Sequence, residues 1–246
     1  MKSLIKIFLA AVVLSGPVYV SAKSNNDDKA TQKTEDRHLT GFKGVDLSGS
    51  FDVYITQGST ESVKVEAPDD IIDHIITEVN GGVLRIHNKN DVNFHWGDWF
   101  GGHHNKIAIY VSVIDINSIH VGGSGDIYFK EGISTTSLKV GVTGSGDILG
   151  KVTVKNLESS ISGSGDMKIS GTAETSTVRV SGSGDYMARG LVTVNTIVKV
   201  SGSGDADVYV NGSLTASVSG SGDIRYTGDA KSVSTSKSGS GDIERH

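Results

Sequence analysis

Seven aspartates recur behind the same three residues. The tetrapeptide Gly-Ser-Gly-Asp places its carboxylates at Asp126, Asp147, Asp166, Asp185, Asp205, Asp223 and Asp242, in steps of 21, 19, 19, 20, 18 and 19 residues. A degenerate copy, Ser48-Gly49-Ser50-Phe51-Asp52, precedes them. Ser or Thr stands four before most of these aspartates (Thr143, Ser162, Ser181, Ser201, Ser219, Ser238), and Ser stands two before each. If the repeats stack, one face carries a hydroxyl ladder beside a carboxylate ladder. Unit charges ~4.8 Å apart repel by roughly 0.9 kcal/mol at bulk-water dielectric, so something must offset the repulsion. Two offsets are open: backbone N–H groups at the glycine corners, or a bound cation, most plausibly calcium with its preference for oxygen ligands. Calcium-binding nonapeptide repeats use Gly-Gly-x-Gly-x-Asp at half this period, so backbone donors are the expectation and no metal is assigned.

A second group lies in Asn93–His104, which holds both tryptophans, Trp96 and Trp99, with Phe94, His95, Phe100, His103 and His104. Exposed rings on a loop can grip sugars or partner proteins, and Phe94, His95, Trp96, Trp99 and Phe100 are the candidate binding residues. The same rings could instead fold back and plug the core. The histidines and Asp98 match no metal-ligand spacing. Asn211-Gly212-Ser213 fits a glycosylation sequon but reads as a turn.

The elements that position these groups follow from parity. Five and seven residues before each Asp the chain is mostly apolar, as at Val142 and Val140, Val180 and Val178, Val200 and Val198. One after it come Ile127, Ile148, Met167, Tyr186, Ala206, Ile224 and Ile243. The opposite parity is polar, which is the period of half-buried strands rather than helices. A unit of two strands and two turns fills about 19 residues and cannot bury its single apolar stripe alone. The expected fold is therefore all-β: a right-handed parallel β-solenoid (β-helix) of about 19 residues per coil, the hand following strand chirality. The last repeat holds Thr235 and Lys237 at inward positions, suiting a terminal coil that faces water.

Residues 1–22 read as a cleaved signal peptide: Lys2 and Lys6, an apolar run Ile7–Leu14, and Val20-Ser21-Ala22 before the cut. Polar residues 23–39 read as a flexible linker. The domain spans 40–246, with an irregular N-terminal β cap at 40–117 and regular repeats at 118–246. Without the signal the chain has 21 basic and 28 acidic residues, which argues against nucleic acid and anionic lipid as partners. It has no cysteine. No integral membrane segment is expected in the mature chain, and no cofactor is expected.

Phe42-Lys43-Gly44-Val45, Phe51-Asp52-Val53-Tyr54-Ile55-Thr56-Gln57-Gly58, Val63-Lys64-Val65-Glu66-Ala67 and Gly82-Val83-Leu84-Arg85-Ile86, with the Gly-Ser-Gly-Asp repeats, resemble the putative auto-transporter adhesin, head GIN domain family over roughly residues 40–245. The resemblance implies a β-solenoid in the bacterial envelope and no catalytic residues. No stretch long enough for a membrane barrel follows the repeats, so self-translocation is not expected. The expected function is an exported, non-enzymatic, adhesin-like module, periplasmic or at the cell surface, binding a glycan or an envelope protein. The alternative is a polysaccharide-processing β-helix enzyme, although no non-repeated acidic pair with a nearby base stands out.

Overall fold

Alternating Val and Ser/Thr/Lys along the repeats favours extended backbone with one buried face. The computed structural model describes residues 32–89 and 107–246. Five long strands form the regular part: β9 (Asp126–Gly144), β10 (Ile148–Gly163), β11 (Met167–Gly182), β12 (Tyr186–Gly202) and β13 (Ala206–Gly220). Each pairs in parallel with the next, so the chain is a β-solenoid of stacked coils. Like sits on like: Leu138 on Leu157, Val178 on Val198, Val180 on Val200, and corner glycine Gly163 on Gly182. The inward columns merge into one continuous apolar core running from Phe42 to Ile224.

The two glycines of a corner do different jobs. The first is only half-buried and takes a left-handed backbone, φ 139° at Gly163, which a side chain would strain. The second is buried against the coil before it. A Cβ on Gly184 would lie 2.1 Å from the carbonyl oxygen of Gly165. The expected second turn is not a break in the strand. The chain stays extended and bends where the register shifts, between Gly150 and Val152, Lys168 and Gly171, and Ala188 and Val192.

The inward columns contain polar exceptions that pack as a unit. Tyr186 is fully buried, and its hydroxyl meets Ser159 (Oγ to Oη 3.5 Å) and Ser176, both buried where Val and Leu are usual. In the same tube Thr193 and Thr196 bond to each other at 2.7 Å, and Thr193 Oγ1 donates to the Tyr209 carbonyl at 2.7 Å. A hydroxyl inside an apolar core costs free energy unless paired, and these residues pair with one another or with backbone.

The N-terminal part is irregular, as expected, and its coils are out of sequence order. Strands β2 (Gly44–Ser48) and β3 (Asp52–Gln57) make one coil. On one side it carries β6 (Val83–Asn88) and β7 (Ala108–Val113), and on the other β8 (Ser118–Val121) and β9, all parallel. Antiparallel strands close this end: β4 (Ser62–Pro68) on β7, β5 (Ile75–Asn80) on β6, and β1 (Gln32–Asp36) on β4. Strand β1 corrects the expected linker 23–39. Residues 32–36 are tied to the cap, because the outer edge of β4 offers an unpaired backbone ladder.

At the other end, β14 (Ile224–Thr227) is followed by β15 (Ser232–Gly239), exposed at every position, and β16 (Ile243–Arg245). Thr235 and Lys237 stack on Ala216 and Val218, the inward columns, and face water at the tube's open end. Among the described residues no helix is long and apolar enough to cross a membrane.

Candidate functional site

Asp126 N–H still meets a backbone carbonyl, that of Phe51 at 3.0 Å, but from Asp147 on the Asp N–H has no ladder carbonyl to meet. The carboxylate of the coil before replaces it. Asp147 N–H donates to Asp126 Oδ1 at 2.9 Å, and the pattern repeats through Asp166, Asp185, Asp205 and Asp223 at 2.8 Å to Asp242 at 2.9 Å. The Asp carbonyls are used too, accepting from the residue that follows the preceding Asp, as in Ile127 N–H to Asp147 O at 2.9 Å. Charge-assisted bonds of this kind are about twice as strong as neutral ones and answer the repulsion along the column. The aspartates therefore form a corner-sealing ladder held by backbone donors, with Oδ2 left outward.

Those outer oxygens are treated unequally. At the start, Tyr128 Oη donates to Asp126 Oδ2 at 3.0 Å. Near the end, Arg225 bridges Asp205 Oδ2 and Asp223 Oδ2, both at 3.0 Å. Partial burial works against the Arg225 charge, but the adjacent Asp205 and Asp223 outweigh it and raise its pKa further. Lys237 pairs with Asp242.

Beside the first aspartates runs a feature that residue-by-residue reading missed. Tyr54 stacks on Tyr110 (centroids 5.4 Å apart) and on Tyr128 (5.1 Å), and Lys130 Nζ lies 5.1 Å from the Tyr128 ring. Burial, with help from Asp126, pushes the Tyr128 hydroxyl's pKa well above the ordinary phenol value. The signal was present, since Tyr follows Asp by two in both Asp52-Val53-Tyr54 and Asp126-Ile127-Tyr128. Because the rings face one another, they offer edges rather than faces to a ligand.

One cluster looks like catalytic machinery. His120 Nδ1 bonds Asp46 Oδ1 at 3.1 Å, and its Nε2 lies 3.2 Å from Thr143 Oγ1. Nucleophilic attack would also need donors converging on an oxyanion. Here the backbone N–H groups lie in the sheet plane, with β9 paired to both β8 and β10. The relay ties strands β2, β8 and β9 together.

The aromatic residues Phe94, His95, Trp96, Trp99 and Phe100 lie outside the described residues. Leu47 registers with Ile86 and Asp52 with Ala108.

Residues 41–230 match the family described as "Putative auto-transporter adhesin, head GIN domain". The chain belongs to that family. A solved putative adhesin from Bacteroides fragilis is 25% identical, with a TM-score of 0.79 over 88% of this chain and 97% of that one. A putative adhesin from Parabacteroides distasonis is 22% identical (TM-score 0.71, 89% and 98% covered). A putative lipid binding protein from the same species is 21% identical (TM-score 0.70, 89% and 98% covered). At that identity the last two establish the fold alone. A search of curated proteins gives no match. The head GIN family places this chain among adhesin-like proteins, which suggests a cell-surface or envelope location and a non-enzymatic role.

Proposed function

We propose that this head GIN protein is an exported, non-catalytic binding module whose rigid outer face attaches to a glycan or an envelope protein. The observation that carries this reading is the corner ladder: outward side chains repeat at coil spacing on a backbone locked by Asp-to-amide bonds. Such a face loses little freedom on binding, which favours recognition of an extended, repetitive target. Residues 1–22 would direct export and be removed, leaving the domain in the periplasm or at the surface. The aromatic residues around Trp96 and Trp99 would supply flat apolar contacts to the target.

The test is a glycan array together with adhesion of protein-coated beads to envelope preparations. The double variant Trp96→Ala, Trp99→Ala should fold normally and lose most binding. Unchanged binding would remove the aromatic segment from the site. Turnover of any polysaccharide on the array would overturn the non-catalytic reading.

A further inference from the structure

The register shifts of three successive coils gather at one place on the outer surface. Just before that bend, strands β10, β11 and β12 enclose a groove of about 430 Å³, half open to solvent. Its size falls in the range of small-ligand sites, and bulges of this kind often re-aim side chains at such sites. Leu149 and Met187 point outward from this column, and Met187 is 37% exposed. Lys168 stands between them in register. Arg189 is held at the rim by Asp207, Nη2 to Oδ1 at 3.1 Å, with Ser170 alongside. Among the described residues Lys168 has no ion-pair partner, so the groove carries two cations against one carboxylate in a chain of net charge −5.

We propose that this groove binds a hexuronate unit of an acidic polysaccharide, which deepens and rests on the glycan reading above. The ring's C–H face would lie over Leu149 and Met187. Its carboxylate would pair with Lys168 and with the N–H groups of Arg189 that Asp207 leaves free, and its hydroxyls would reach Ser170 and Asp207. A sugar ring needs only one face covered. A long alkyl chain needs enclosure, which a half-open groove does not provide.

Calorimetry on the purified full chain, with trigalacturonate, galactotriose and decanoate as probes, tests the assignment. Trigalacturonate should bind, galactotriose should bind about tenfold more weakly or not at all, and Lys168→Ala should weaken trigalacturonate by about tenfold. Lys168 is exposed, so the variant should keep its thermal midpoint. Equal affinity for galactotriose, preference for decanoate, or an unchanged Lys168→Ala would overturn the proposal. A protein that binds neutral glycans on an array but ignores trigalacturonate sinks this site and leaves the wider reading standing. A protein that binds no glycan sinks this site and the glycan reading together, and leaves only attachment to an envelope protein.

Discussion

Replacing Asp166 separates the two ways of offsetting a carboxylate column. Asp166 Oδ1 accepts the Asp185 N–H at 2.8 Å, and its own N–H donates to Asp147. Asp166→Ala removes the acceptor and leaves the Asp185 amide with nothing on its coil, a loss of about 1.5–3 kcal/mol for a bond to a charged group. It also removes repulsion from Asp147 and Asp185, roughly 0.9 kcal/mol each before salt screening. The net cost should be about 1 kcal/mol. Asp166→Asn keeps an acceptor oxygen and loses the charge, so it should equal or exceed the wild type by up to about 1 kcal/mol. Hydrogen exchange at the Asp185 amide is the direct assay, with urea unfolding beside it: the amide should exchange faster in the Ala variant and stay protected in the Asn variant. If Asn proves as damaging as Ala, the charge itself is required, and a cation rather than the backbone holds the ladder.

Calcium and chelator should give the same thermal midpoint within a degree or two, and a rise of many degrees with calcium would contradict the ladder as described. Gly184→Ala drives a Cβ into the Gly165 carbonyl at 2.1 Å and should cost upwards of about 3 kcal/mol or abolish folding, read by circular dichroism. Tyr186→Phe loses the bonds to Ser159 and Ser176 and should cost about 1 kcal/mol at neutral pH in urea unfolding. Burial raises the pKa of Tyr186, so its contribution is complete below the unfolded phenol value near pH 10 and is lost as pH rises beyond it. The Phe variant should therefore show a shallower fall in urea midpoint between pH 9 and about 11 than the wild type; an identical fall would refute the assignment.

The regular coils were legible because every repeat states the same parity, and the Gly-Ser-Gly-Asp spacing alone sets which valine lies on which. The inverted positions were not. Ser159 and Ser176 look like defects until Tyr186, reaching across the tube from a neighbouring coil, explains them. Val192, Val194 and Ile197 face outward at 41–49% exposure while Thr193 and Thr196 face inward, a local reversal that no period-2 count reveals. The cap was legible as strands but not as an order, because the pairing of β2 with both β6 and β8 is set by contacts across 39 and 74 positions of chain rather than by local pattern. The bends at Gly150, Lys168 and Ala188 depend on register between coils, and their mark in a repeat is a lone glycine, Gly150, Gly171 or Gly190, with φ 110° at Gly171.

The interleaved start has a consequence for how such a protein can change length. The β2–β3 coil is wedged between two coils made later in the chain, so the beginning of the stack is a closed knot of mutual dependence. Beyond β9 each coil pairs its backbone only with the one before and the one after. Gene duplication or loss of a single repeat is thus harmless only downstream of that point, and family members of different size should differ in their middles and share their beginnings.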